Sequence, residues 1–317
     1  EGCDFGGGPA TLASPYRDTR DVTPADLEGY DAVVCLAALS NDPLGELSAD
    51  TTYSINVGGT LALARAAKAA GVERFVFASS CSLYGAAGSA PVAEDSEMNP
   101  VTPYGHSKVL AEEQLAAMAD DTFSPSYMRN ATAYGASPRL RLDIVVNNLT
   151  GVAVTTGRVR LQSDGTPWRP LVHIEDISRA ALALLEAPRE KVHNEAFNIG
   201  RDEDNLQIRD IAEMVTATAR GSVVAYAADA GPDLRNYRVD FAKLKDTFPD
   251  LKLEWTVADG VRELVSADER HGLTRGEFES SSFVRLRRVQ ELIAAGEIDE
   301  ELRRPGPRLA VVSELSA

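Results

Sequence analysis

Between residues 31 and 130 the chain alternates short, unbroken apolar runs with longer stretches rich in Ala and Leu. Asp31-Ala-Val-Val-Cys-Leu-Ala-Ala38 is apolar without period-two alternation, the pattern of a parallel strand covered on both faces. Glu46 to Ala70 follows and stops at Gly71, which predicts a helix with a glycine terminator. Val72 to Ala78 predicts a second buried strand that runs straight into the polar turn Ser79-Ser80-Cys81-Ser82. Strand, long helix and strand, joined by a right-handed crossover, make a βαβ unit and imply an α/β sheet. Pro103 to Met118, with proline in its first turn, predicts the next helix, and Ser126 to Asn130 the next strand.

After Tyr134 the rhythm loosens. Pro, Gly and Arg punctuate residues 135 to 170, a helix is expected at about Ile174 to Glu186, and the chain returns to the sheet near Phe197-Asn-Ile-Gly200. The expected architecture is α/β, a doubly wound parallel sheet with a smaller, mixed C-terminal lobe. Residues 1–133 and about 171–200 are assigned to the sheet domain, and 134–170 and 201–317 to the lobe. Ser282 to Ala295 is amphipathic and is expected to pack on the body. Dinucleotide folds normally open with a strand, a GxGxxG turn and a helix, whose amides hold a pyrophosphate. Here Gly6-Gly-Gly8 is followed by Pro9, lacks that spacing and a preceding strand, and reads as a flexible loop. The sequence starts with what resembles the loop after a second strand, as though the first strand, glycine turn and first helix were missing.

Charge and cysteine usage narrow the partners. A net charge of −16 and a pI near 4.7 disfavour a nucleic-acid binder, because duplex affinity rests on Lys and Arg meeting phosphates. No apolar run approaches the ~18 residues that span a bilayer, and the N-terminus has no basic-then-apolar signal, so a cytoplasmic protein without a membrane partner is expected. Cys3, Cys35 and Cys81 form neither a closed disulfide set nor a CxxC pair, so reduced thiols and no metal are expected.

The chemistry centres on Tyr104-Gly-His-Ser-Lys108. Four residues apart on a helix, Tyr104 and Lys108 share a face, so the ammonium is expected to favour the ionised phenol and bring a group of pKa ~10 toward use as a base. Alone, such a pair is common on solvated helix faces. Its context is Ser79-Ser-Cys-Ser-Leu-Tyr-Gly85, just past a predicted parallel strand, at the sheet edge where α/β proteins place ligands. A serine hydroxyl there can bond a substrate oxygen and the tyrosine together, although a plain polar turn has the same composition. Arg169, Arg235 and Arg238 lie in the irregular part of an acidic chain, where arginine suits phosphate recognition as well as surface ion pairing. His173 and Asp176 are expected to anchor a helix, and His106 to be exposed.

In this order the motifs resemble the extended short-chain dehydrogenase/reductase family, in its NAD-dependent epimerase/dehydratase branch, over Asp31 to Trp255. The resemblance implies a Rossmann-type domain that binds NAD and a lobe that binds a nucleotide-diphosphate sugar. It places Leu36, Ala37, Ala38 and Leu39 beneath the adenine ribose, Asn56 as a structural helix asparagine, and Ser80, Tyr104 and Lys108 as a Ser-Tyr-Lys triad, with Ser79 beside the cofactor. Ser80, Ser82, Thr132, Asn148, Arg169 and Arg235 fall to the substrate, Arg169 and Arg235 meeting the diphosphate. Pairing of the two long helices into a homodimer is implied as well.

Three departures from the pattern matter. The glycine turn and the ribose-binding acid are missing, so the choice between NAD and NADP is not supported by the residues; Thr132 replaces a frequent asparagine. The Asp-Glu pair by which sugar 4,6-dehydratases eliminate water is replaced by Cys81 and Ser82. Reversible oxidation and re-reduction of the sugar C4 hydroxyl, an epimerisation, is therefore the expected reaction. The alternatives are an atypical dehydratase or decarboxylase with Cys81 as acid or base, a keto-sugar reductase, and a non-catalytic nucleotide-sensing protein. For Cys81 a buried structural role is at least as well supported.

Overall fold

The structure is a computed structural model that describes residues 18–40, 42–88, 90–137, 140–231 and 236–304. Cys3, the Gly6–Gly8 run and Arg235 lie outside them. In chain order the first half contains strand β1 (Ala32–Cys35), helices α1 (Asp42–Gly45), α2 (Ala49–Tyr53) and α3 (Thr60–Ala69), strands β2 (Arg74–Ser80) and β3 (Pro91–Val92), helix α4 (Pro103–Ala116), and strands β4 (Ser124–Asn130) and β5 (Thr132–Tyr134). Then come α5 (Val145–Thr156), β6 (Arg158–Ser163), β7 (Trp168–His173), α6 (Ile174–Glu186), α7 (Arg189–Val192), β8 (Glu195–Ile199), β9 (Asn205–Gln207) and α8 (Ile208–Thr218). Strands β10 (Val223–Gly231) and β11 (Arg238–Val239) precede helices α9 (Ala242–Thr247), α10 (Val257–His271), α11 (Arg275–Phe278) and α12 (Arg285–Ala294).

The central sheet has the order β1-β2-β4-β8 with every pair parallel, as the apolar runs require. Side chains alternate across β2. Phe75 and Phe77 pack with Ala64, Ala67 and Leu115 on one face, whereas Val76 joins Met128, Phe197 and Leu184 on the other. A third core, built from residues such as Leu142, Val146, Leu161, Ile211 and Leu264, lies among α5, β6, α8 and α10. Each such fully buried side chain contributes roughly 1.5–3 kcal/mol of burial free energy. No helix among the described residues is long and apolar enough to cross a membrane.

The differences from the expected boundaries have local causes. The strand expected to reach Ala38 stops at Cys35, and the chain peels away so that Leu36 is 66% exposed. The helix expected from Glu46 begins at Ala49, because the Ser48 side chain accepts the Thr51 N–H and caps it. α2 continues into α3 through a π-helical stretch, Ser54–Gly59, that carries Asn56 inward. β4 begins two residues earlier than expected because Ser124 and Pro125 pair with Arg74 and Phe75. The terminal helix forms and lies against the body near α1: Leu286, Val289, Leu292 and Ile293 are half-buried, and Arg285 reaches Ser40, although none of its residues is fully buried.

One buried group works against the fold. Asp268 of α10 is fully buried, and neither carboxyl oxygen has a hydrogen-bond partner among the described residues. Removal from water pushes its pKa from the ordinary 3.8 up to about 7. The folded protein thus holds this proton where the unfolded chain releases it, so the stability contribution falls as pH rises from about 4 to about 7 and stays low above that. Asp268→Asn, which keeps the shape but cannot ionise, is expected to melt above wild type at pH 8 and to lose most of that advantage at pH 5. Equal melting differences at the two pH values would contradict this account.

Candidate active site

A cleft of about 1130 Å³ opens at the C-terminal ends of β1, β2 and β4. Chain reversal beyond each strand supplies its wall: Leu36 and Ala38 after β1, Ser79, Ser80 and Ser82 at the end of β2, Asn130 and Thr132 after β4. Helix α4 adds Tyr104 and Lys108, and the lobe adds Asn148 from α5 and Arg169 from β7. Of the residues assigned to the site from sequence, Ala37, Leu39, Asn56 and Cys81 are not in this wall, nor is Arg238, whose guanidinium lies 4.8 Å from the Trp168 ring centre. Asn56 acts from behind: its side chain accepts the Leu39 N–H at 2.8 Å and donates to Leu39 O and Ser107 Oγ, fixing the turn after β1 against α4.

Thr102 sets the start of α4. Its hydroxyl accepts the Gly105 N–H and donates to Asp42 at 2.7 Å, so the first turn, with Tyr104, is tied to α1. Tyr104 is 9% and Lys108 3% exposed. The expected stabilisation of the Tyr104 phenolate by Lys108 is not found. Burial raises the phenol pKa, opposed by a hydrogen bond with Ser80 and by the charge of Arg141. The Lys108 ammonium instead donates to Ala78 O at 2.6 Å, lies 4.6 Å from the Phe77 ring centre and 5.7 Å from that of Tyr104, and is pushed down to about 8 by burial. The shared helix face was legible in sequence; the competing backbone carbonyl was not. His106 is exposed, as expected.

Beneath the serine turn lies a buried polar network. Arg129 of β4 and Glu112 of α4 pair at 2.7 Å, and Arg129 also donates to Tyr84 Oη at 3.1 Å. Tyr84 Oη donates to Asn198 Oδ1 at 2.7 Å. Cys81 faces this network, donating to Arg129 O at 3.0 Å, and complete burial holds its thiol well above the usual range. Burial disfavours the Cys81 thiolate and the residue is not in the cleft wall, a placement that fits a structural thiol better than an acid or base. On the cleft side, Ser80 Oγ and Ser82 Oγ are hydrogen-bonded at 3.1 Å.

Several wall residues were not singled out from the sequence. Arg141 is paired with Asp143 at 2.9 Å and reaches Ser40. Arg160 and Arg287 also face the cleft, so its lining holds Lys108, Arg141, Arg160, Arg169 and Arg287 against the acids Asp42, Asp143 and Glu279. Arg141 lies outside any helix or strand and Arg160 on the two-stranded β6–β10 sheet, so no periodicity marks them, whereas Arg287 is a polar position of α12. Arg169 donates to Trp168 O at 2.8 Å while lining the cleft. His173 and Asp176 anchor α6: His173 Nδ1 accepts the Glu175 N–H, and Asp176 accepts from Glu254 N and Trp255 N.

The wall suits a ligand rich in hydroxyl and amide groups. Ser79 Oγ and Asn130 Oδ1 are buried at the cleft with no hydrogen-bond partner among the described residues. With Tyr104 and Lys108 beside them, these groups fit the ribose and carboxamide of a nicotinamide nucleotide. The sequence profile of the NAD dependent epimerase/dehydratase family matches residues 16–200. The chain belongs to this family. Over 233 aligned residues it is 29% identical to the UDP-glucose 4-epimerase of Bacillus subtilis (strain 168), a match that covers 67% of this chain and 66% of the relative. Among solved structures it resembles DesIV, the dTDP-glucose 4,6-dehydratase of Streptomyces venezuelae with NAD and TYD bound, at TM-score 0.71 and 25% identity, covering 82% of this chain and 81% of that one. It also resembles MoeE5 in complex with UDP-glucuronic acid and NAD, at TM-score 0.70 and 27% identity, covering 80% and 85%. The aligned part spans about two thirds of the length of the Bacillus subtilis relative.

The serine turn closes on Gly85, whose φ of +56° is costly for any side chain. A Cβ there would also collide with the backbone carbonyl of Asn99. Gly85→Ala is expected to lose about 2–4 kcal/mol of stability and to disorder the Ser80–Tyr84 turn. Thermal melting checks this, and an unchanged melting temperature would contradict it.

Proposed function

We propose that the chain is a nucleotide-sugar epimerase that uses NAD to oxidise the sugar C4 hydroxyl to a transient ketone and then re-reduces it on the opposite face. The observation that carries this reading is the convergence of Ser80, Tyr104 and Lys108 at the end of β2 on one cleft, facing Asn148 and Arg169 across it. The lobe residues Asn148, Arg169 and Thr132 hold the nucleotide-diphosphate sugar, with Arg169 as the phosphate fork. Lys108, Tyr104 and Ser79 hold the nicotinamide ribose, and Leu36 and Ala38 support the far end of the cofactor. In this reading residues 1–133 and about 171–200 form the cofactor domain, 134–170 and 201–317 the substrate lobe, and two copies pair through α3 and α4.

Tyr104 accepts the proton of the C4 hydroxyl, and Ser80 bridges the same oxygen. NAD, when bound, supplies the acceptor and later the donor of the C4 hydride. Burial alone raises the Tyr104 phenol, so its base form depends on the Ser80 hydrogen bond and on the nearby positive charge of Arg141. Return of the proton from Tyr104 after the ketone has turned over completes the cycle without a second acid. Elimination is disfavoured by the surroundings of the serine turn. Cys81 points away from the cleft, Asp143 is paired with Arg141, and Asp42 accepts from Thr102, so none of the three is poised as a free acid or base.

Tyr104→Phe is expected to lower kcat by at least about 10²–10⁴-fold while nucleotide-sugar binding, measured by calorimetry, persists. Full activity in that variant would sink the assignment.

A further inference from the structure

The chain leaving α11 crosses from one wall of the cleft to the other. Its start is anchored on α5 by aromatic rings: a Cβ on Gly151 would lie 2.8 Å from the Phe278 ring, and Phe283, 2% exposed, belongs to the core among α5, β6, α8 and α10. Glu279, Val284 and Arg287 then line the cleft itself. α12 lies against α1 on the central-sheet side, where Arg285 donates to Ser40 Oγ at 3.4 Å. The residues after it hold to the same side. Arg20 donates to Glu301 O at 3.0 Å, Thr51 Oγ1 donates to Glu300 O at 3.3 Å, and Arg303 pairs with Asp21 at 2.6 Å.

We propose that residues 279–304 are a hinged strap that closes the cleft over a bound nucleotide diphosphate, with Arg287 as the strap's contact to the diphosphate. The proposal rests on the nucleotide binding in the function proposed above, not on the reaction. The two ends of the strap differ as a hinge and a latch differ. One end is fixed in an apolar core. The other is held by exposed polar contacts: the Arg303 and Asp21 side chains are 34% and 56% exposed, and such pairs are weak and screened by salt. Between them α12 has no fully buried residue. Opening a helix held in this way costs far less than opening the body, so the Arg303 end releases first and the strap swings about Phe283.

The inner face of the strap selects an anion. Arg287 donates to Glu279 O, a contact that takes one of its five N–H donors. The acid of the strap at the cleft, Glu279, is paired with Arg275 at 3.0 Å, which offsets its charge. On the opposite wall Arg141 donates at 3.2 Å to Ser40 Oγ, the oxygen that Arg285 also reaches, so closure brings guanidinium groups together from both sides. Asp143 offsets part of their repulsion, and an anion in the cleft offsets more. A ligand that meets Arg287 only in the closed form shifts the strap toward closure by that difference in affinity. Guanidinium forks match phosphate oxygens, and a diphosphate is carried both by NAD and by a UDP-sugar.

Hydrogen exchange of the full chain, followed by mass spectrometry with and without saturating NAD or UDP, tests the strap, with binding of each nucleotide measured by calorimetry. In the free protein the amides of α12 are expected to exchange faster than those of α10, and at least one nucleotide to slow them about threefold or more. The nucleotide that does so carries the covered diphosphate. Arg303→Gln is expected to speed α12 exchange about two- to fivefold, the worth of one exposed pair, and to raise the dissociation rate of that nucleotide, with α10 unchanged. Arg287→Gln is expected to weaken the same nucleotide about tenfold at an unchanged melting temperature. If a nucleotide binds, yet α12 exchanges as slowly as α10 in the free protein, or neither nucleotide protects it, or Arg287→Gln binds both as wild type does, the strap fails and the proposed function stands. If neither nucleotide binds, the nucleotide reading fails and takes the strap with it.

Discussion

The buried ion pair between Arg129 and Glu112 is the constraint on which the site depends. It joins β4 to α4 beneath the serine turn, and through Arg129 it engages Tyr84, Glu94 O and, by its own carbonyl, Cys81. Strand, helix and turn are the three pieces that carry Asn130, Tyr104 and Ser80 into one cleft. Removing one partner of such a pair leaves an uncompensated charge and costs about 3–5 kcal/mol, so the geometry of the turn is fixed by polar contacts that break together. The network is satisfied on every side that the structure shows, which is the condition under which buried charge specifies one arrangement.

A second constraint is electrostatic. The chain carries a net charge of −16, yet Lys108, Arg141, Arg160, Arg169 and Arg287 all face one cleft. Within the cleft these five cations outnumber the acids Asp42, Asp143 and Glu279, so an acidic chain offers an anionic ligand a local excess of positive charge. Ser80, Tyr104 and Lys108 come from β2 and α4 of the central-sheet part, and the guanidinium groups of Arg141, Arg160, Arg169 and Arg287 from segments that follow β5. Both sets converge because the strands of the sheet end on the same edge.

How much of this was legible in sequence follows from which forces are local. The parallel strands and the helices at Pro103 and Ile174 were legible because their apolar patterns and caps lie within a dozen residues. The Ser-Tyr-Lys set was legible from its order and from one helical spacing. The strand end at Cys35, the Ala78 carbonyl that takes the Lys108 proton donors, and the inward face of Cys81 depend on neighbours far along the chain. Glu112 and Arg129 look like ordinary charges on a helix and a strand until the sheet brings them together. The terminal helix was legible as amphipathic, and its apolar residues are half-buried rather than part of a core.

The most direct test of the central claim is product analysis: the full chain is incubated with NAD and UDP-, dTDP-, GDP- and CDP-sugars, and the products are separated by chromatography and weighed by mass spectrometry. The account predicts a new nucleotide-sugar peak of unchanged mass, the C4 epimer. A product lighter by water or carbon dioxide, or no product from any of the sugars, would contradict it.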